Sequence, residues 1–145
     1  MKATGIIRRI DDLGRVVIPK EIRRTMGIRE GDPLEIYTDR DGCVIFKKYV
    51  AMNEASDTVQ NIYNGLKSQG IKCAIYNSDY RMMFGDKSFP TDFDEYELQE
   101  MEGRYIAIKS GEDIVGYIFA TADTTEAQKT CIKMAATILT AELGG

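Results

Sequence analysis

The sequence predicts an α+β protein built as two modules, a basic head over residues 1–50 and an acidic body over residues 53–145. Three observations carry this expectation. Short runs rich in β-branched and aromatic residues, bounded by Gly, Asp and Asn, alternate with segments of helical spacing. The second half reads as a helix, two strands, a variable middle, two strands and a helix, an order that suits a sheet with helices packed on it. Charge is split as well: residues 1–50 hold 11 Lys and Arg against 8 Asp and Glu, whereas residues 51–145 hold 8 against 15. The overall net charge of −4 therefore hides a basic head, and within residues 1–29 the contrast is 8 against 3. Such a head suits a polyanionic partner.

In the head, TGIIRRI reads as a strand, DDLG as a turn and RVVI as a second strand. Pro19 fits the first helical position, where a missing N–H costs nothing, and Gly27 fits the position just past the helix end. In the short helix between them, Ile22 and Met26 stand four apart on an inward face, while Arg23 and Arg24 lie toward solvent. PLEIYT and CVIFKKY follow as strands joined by DRDG, whose Asp41-Gly42 pair is a strong hairpin signal. A module of this size buries too small a fraction of its surface to be comfortable alone. An intertwined homodimer through residues 1–50 is therefore expected.

In the body, MNEASDTVQNIYNGLKSQG places Ala55, Val59, Ile62, Tyr63 and Leu66 at helical spacing, with Gly70 as the stop. IKCAIYN and MMFG form a hairpin around NSDYR, TDFDEYELQEMEG is acidic and helical, and RYIAIKS and IVGYIFATA form a second hairpin around GED. Asp123 and Glu126 fit a capping-box start for a final helix. On that helix Lys129, Lys133, Thr137 and Thr140 make a polar stripe opposite Cys131, Ala135 and Ile138, and Ile132, Ala136, Leu139 and Leu143 make an apolar face beside it. One face can pack on the sheet and the other can meet a partner, so a dimer of dimers is expected. The join over residues 49–53 has no Pro/Gly-rich character, which couples the modules rather than tethering them loosely.

Other chemistry finds little support. The chain has no histidine, which removes His-based acid–base pairs and the common zinc sites. No catalytic residue, metal or cofactor is expected, and the chain reads as a non-enzyme. Cys43, Cys73 and Cys131 are odd in number and far apart, which suits a reducing compartment better than a disulfide framework. The longest apolar runs stop short of the roughly 20 residues needed to span a bilayer, and the N-terminus has no signal-peptide pattern. A cytoplasmic protein with no membrane partner is expected. The carboxylates Asp92, Asp94, Glu95, Glu97, Glu100 and Glu102 lack a calcium-loop pattern and read as a solvated helix face. Tyr76, Tyr80, Phe84, Phe89, Phe93 and Tyr105 could line a pocket, although aromatic residues at strand positions more often fill a core.

The run MKATGIIRRIDDLGRVVIPKEIRRTMGIREGDPLEIYTDRDGCVIFKKY, and within it GRVVIPKEIRRT, resembles the DNA-binding domain of the AbrB/SpoVT family of transcriptional regulators. The resemblance implies a swapped-hairpin β-barrel dimer for the head, a GAF-like fold for the body and a role in transcription during spore formation. It places DNA-contacting arginines at Arg8, Arg15, Arg23 and Arg24, with Lys2 and Arg9 as supporting charges. Arginine suits this work because its planar guanidinium grips a phosphate or a guanine edge through two parallel hydrogen bonds. The implied partners are double-stranded promoter DNA, other copies of the chain and a small-molecule effector of the body, in a nucleoid-associated protein. Whether Arg8 or Arg9 stands opposite Arg15 depends on the register of the first hairpin, which the sequence leaves open. Asp11 and Asp12 serve either as turn residues or as carboxylates that orient a neighbouring arginine. The alternative is an antitoxin-type interaction protein carrying a related barrel. Its toxin-wrapping tail should be extended and disordered, whereas residues 53–143 have a globular pattern.

Overall fold

A computed structural model describes residues 1–143. Gly144 and Gly145, the end of the expected second module, lie outside the described residues. The chain divides into two compact units, Met1–Tyr49 and Val50–Gly145.

In the first unit, β1 (Leu34–Thr38) and β2 (Val44–Lys48) form an antiparallel ladder in which Ile36 faces Phe46 and Tyr37 faces Ile45. Asp39 shapes the turn between them, its Oδ1 accepting the N–H groups of Asp41 and Cys43 at 3.0 and 2.9 Å. Gly42 supplies the left-handed backbone that the turn needs, with φ of 86°. Helix α1 (Lys20–Met26) starts one residue later than the sequence suggests, with Pro19 at its N-cap. Its end is a Schellman turn: Gly27 adopts φ of 68°, the Gly27 N–H returns to the Arg24 carbonyl and the Ile28 N–H to that of Arg23. Lys48 fastens β2 to this helix end, its Nζ donating to the Gly27 carbonyl at 3.0 Å and lying 3.5 Å from Asp32.

Residues 1–18 depart from expectation. Neither TGIIRRI nor RVVI is a strand in the single chain; they meet only at the turn, where the Asp11 N–H donates to the Arg15 carbonyl at 3.0 Å. A strand needs a partner edge, and an isolated two-stranded ribbon is marginal in water. Ile7, Ile10, Leu13 and Val17 are consequently 87%, 70%, 70% and 71% exposed. Met26 also points outward, at 62% exposure, so the inward pair that it was expected to form with Ile22 is not made.

The second unit holds α2 (Ala51–Glu54), α3 (Ser56–Ser68), β3 (Cys73–Asn77), β4 (Met82–Gly85), α4 (Glu95–Glu100), β5 (Tyr105–Ser110), β6 (Asp113–Ala120) and α5 (Glu126–Leu143). The single helix expected at its start breaks at Ala55 into α2 and α3. The sheet runs β4-β3-β6-β5 and is antiparallel throughout. All five residues of β3 are buried because both faces of the sheet are covered. On one face Val59 and Leu66 of α3 and Ile132, Ala136 and Leu139 of α5 pack over Cys73, Ile75, Ile108 and Ile118. Burial, with Asp86 nearby, pushes the Cys73 thiol up to about 11, which keeps it an inert core group.

The other face is an aromatic cluster beneath the loop that carries α4. Tyr76 meets Phe93 and Phe119 edge-on at 4.8 and 5.3 Å between ring centroids, and Tyr80 stacks on Phe93 at 5.1 Å. Burial first and Asp92 second push the Tyr76 hydroxyl up to about 12, and it donates to the Pro90 carbonyl at 2.5 Å. Phe84 leaves the aromatic set expected from the sequence and stacks on Tyr63, among the residues packed on the helical face.

Two expectations for α5 are corrected. The capping box is Thr125 with Gln128, whose side chains accept each other's backbone N–H groups at 3.2 and 3.0 Å, while Asp123 accepts from the Thr121 hydroxyl. Two overlapping patterns offset by two residues compete here, and the one adjoining the helix is used. Ile138 is 50% exposed, on the face left free of the sheet, and Thr140 turns from the polar stripe toward β5, accepting the Lys109 N–H at 3.3 Å. The carboxylate run around α4 is exposed, and Asp94 with Glu97 makes a second capping box.

Gly116 lies in β6 beside β3, where an added Cβ would stand 2.8 Å from the Tyr76 carbonyl oxygen and 3.0 Å from the Met52 terminal methyl. Gly116→Ala should therefore cost about 1–3 kcal/mol through overpacking. The loss should appear as a lower urea midpoint with an unchanged slope.

Candidate nucleic-acid interface

The DDLG turn sets Arg15. Asp11 Oδ1 accepts the N–H groups of Leu13 and Arg15 at 2.9 and 2.8 Å, and Oδ2 accepts Arg15 Nε at 2.8 Å. Gly14, with φ of 76°, lets the chain close over this carboxylate. One side chain thus both shapes the turn and holds the guanidinium, so the two roles left open for an aspartate here are combined in Asp11. Because the bond is made through Nε, the edge of the Arg15 guanidinium formed by its two Nη groups can grip a second acceptor. The pair is exposed, at 70% for Arg15 and 38% for Asp11. An exposed pair of this kind adds little stability, and what it contributes is direction.

Arg23 is held in a similar way, its Nε donating to the Ile18 carbonyl at 3.1 Å across Pro19. Arg24 follows it in the last turn of α1, where positive charge also suits the helix end. Arg8 bends onto its own chain, Nη1 donating to the Ile7 carbonyl at 3.0 Å. Lys2 and Arg9 are exposed. The structure therefore fixes Arg15 and Arg23, places Arg24 beside Arg23, and leaves the first segment unpaired, so neither Arg8 nor Arg9 stands opposite Arg15 in a ladder. The Asp11 tether is thus among the roles that the sequence left open, and an aspartate two residues before the N–H that it accepts is the signature of an Asx-turn.

A basic hairpin unit with guanidinium groups set at a turn and a helix, followed by a separately folded acidic body, is of the class in which a small basic domain precedes a larger acidic one. Within that class the chain belongs to the AbrB family of transition-state regulators. It is 65% identical over 75 residues to the transition state regulatory protein AbrB of Bacillus subtilis (strain 168), a match covering 52% of this chain and 77% of that protein. It is 68% identical over 66 residues to stage V sporulation protein T of the same strain, covering 46% of this chain but only 37% of that relative's length. Residues 7–51 match the family described as antidote-toxin recognition MazE, bacterial antitoxin. The solution structure of the N-domain of the transcription factor abrB shares 63% identity over 34% of this chain and 92% of that one, at a TM-score of 0.31. The likeness to that domain is carried by sequence and not by superposition.

The Asp11 carboxyl lies below its ordinary 3.8, chiefly through the Arg15 backbone N–H; burial opposes this, and the Arg15 side chain and Leu13 N–H add to it. A depressed carboxylate supports the folded turn fully above its unfolded value and loses that support as pH falls through the lower folded one. The Arg15 Nε–H resonance should therefore hold its position at neutral pH and move only as pH drops below 3.8. Asp11→Asn should bring it at neutral pH to its acid-state position, and a resonance indifferent to that substitution would remove the tether.

Proposed function

We propose that the chain is a DNA-binding transcriptional regulator that grips promoter DNA as a homo-oligomer through Arg8, Arg15, Arg23 and Arg24, with Lys2 and Arg9 adding charge. The observation that carries this reading is the shared tethering of Arg15 and Arg23 through Nε, which leaves their paired Nη groups for a phosphate or a guanine edge. Identity to AbrB over the matched residues supports it. The exposed apolar residues of the head support a swapped-hairpin barrel, in which residues 1–18 gain from a second copy the strand edge that a single chain denies them. The β4-β3-β6-β5 order, with α3 and α5 on one face, supports a GAF-like body. That body associates further, through the outward Met134 and Ile138 of α5, and senses a small-molecule signal. Likeness to a sporulation protein supports target genes in spore formation, and a place in the nucleoid.

Gel shift on AT-rich promoter fragments across salt tests the proposal. If roughly 6–8 phosphates are neutralised, affinity should fall by a factor of about 1,000 or more between 50 and 200 mM salt. Arg15→Ala and Arg23→Ala should each weaken binding about tenfold and flatten the salt slope. Binding that ignores salt, or variants that bind as the parent does, would contradict the arginine assignment.

Sedimentation gives a separate check on assembly. The full chain should run as a dimer or tetramer at micromolar concentration, and a stable monomer would exclude the swapped barrel.

The family description favours a second reading, an antitoxin-type protein with the same DNA-binding barrel. Such a protein wraps its toxin with an extended tail, whereas the residues after the matched segment fold around their own core. Co-purification of a stoichiometric toxin from the native cell would favour that reading.

A further inference from the structure

Where β5 begins and β6 ends, a cleft of about 620 Å³ opens against the first turns of α5. Its size falls within the range of small-molecule sites, roughly 300–1,000 Å³. The aromatic face beside it is already filled by ring-to-ring packing. The cleft is a space that packing leaves open.

Its walls are apolar, formed by Tyr105, Ile106, Ile118, Phe119 and Ile132. Arg104, Lys129 and Lys133 also line it. They are three of the 8 cations in residues 51–145, and none of the 15 carboxylates of that stretch is among the lining residues. Among the described residues Lys129 pairs with Glu126 at 3.3 Å, the two side chains being 52% and 91% exposed. That contact is readily exchanged. The adjacent Asp123 is occupied by the Thr121 hydroxyl. Three cations lining a cleft with an apolar floor match neither a bare inorganic ion, which leaves the floor wet, nor a neutral apolar molecule, which leaves the cations unanswered.

We infer that this cleft binds a small organic acid, a carboxylate on an aliphatic or aromatic body, with Arg104, Lys129 and Lys133 meeting the carboxylate and the apolar walls taking the body. The inference rests on the sensing role proposed above for the second unit and gives that role a place and a ligand class. Two of the cations lie on α5, so an occupied cleft fastens that helix against the start of β5. The outward Met134 and Ile138 lie on the same helix, which links the ligand to association of the body.

Sodium octanoate and 3-phenylpropionate, added to the full chain at millimolar concentration, test it against octanamide, acetate and inorganic phosphate. Either acid should raise the melting temperature by binding the folded form and should shift the amide resonances of residues 104–106, 118–121 and 129–133. Octanamide, acetate and phosphate should bind about tenfold more weakly or worse, since each lacks the charge or the body. Lys133 is exposed, so Lys133→Glu should leave the unliganded melting temperature unchanged while weakening octanoate about tenfold. Equal binding of octanamide, an unaffected Lys133→Glu variant, or no response to either acid would each overturn the inference. Salt-dependent binding of promoter DNA, measured on the same Lys133→Glu sample, should be retained in every case, so the cleft and the DNA-binding head fail separately.

Discussion

Apolar side chains in the head that the single chain leaves in water constrain everything else about it. Ile7, Ile10, Leu13, Val17, Ile36 and Val44 are all more than half exposed in the unit Met1–Tyr49. Burying a side chain of this kind is worth about 1.5–3 kcal/mol, so together they form a strong drive toward association. The same residues are interleaved with the arginines: Ile7-Arg8-Arg9-Ile10 before the turn, and Arg15-Val16-Val17-Ile18 after it. Neighbours on an extended strand point to opposite faces. Ile7 therefore leaves Arg8 on the opposite face, and Val16 and Ile18 leave Arg15 opposite them, so a partner edge that buries those apolar faces turns Arg8 and Arg15 outward. In the proposed function, assembly of the barrel and formation of the DNA-binding surface are one event.

The body solves its packing alone. β3 has a neighbour strand on each side and a packed layer on each face, with helices on one side and aromatic rings on the other. The association proposed through α5 is therefore an addition to a finished core, drawing on Met134 and Ile138 at 60% and 50% exposure. The two units differ in what a second copy means to them. For the head it supplies missing structure; for the body it covers a stripe on a structure already complete.

Local features were legible in the sequence wherever one short pattern decided the outcome. Asp41-Gly42 gives the β1–β2 turn, Gly27 the end of α1, and the alternation of strand runs with Gly-bearing turns gives β3 to β6. The strands expected over residues 4–18 failed in the single chain because a ladder depends on an edge that their own sequence does not contain. The start of α5 was misplaced because Asp123/Glu126 and Thr125/Gln128 satisfy the same spacing, and only the backbone path selects between them. In the candidate interface the arginines were visible as a charge excess in an acidic protein. Their tethers were less so, since the Arg23 anchor is a carbonyl and every residue has one. The cleft was not visible at all: its cations and walls come from the ends of β5 and β6 and one side of α5, and only the sheet order brings them together. Lys129 and Lys133 were read correctly as polar neighbours four apart, without the apolar floor that gives them a use.

The charge split then separates two kinds of anion. Residues 51–145 carry a net −7, and a field of that sign repels a polyanion such as DNA, which in the proposed function keeps the contact to the head. Screening limits that repulsion to about 8 Å at physiological salt. A small acid meets a weaker version of it because it carries one charge rather than many, and in the proposed site it meets three cations beside an apolar floor. The acidic surface therefore does not oppose the proposed ligand site. In the proposed site it favours a small acid over a nucleic acid, whose further phosphates meet the net negative charge of the same stretch.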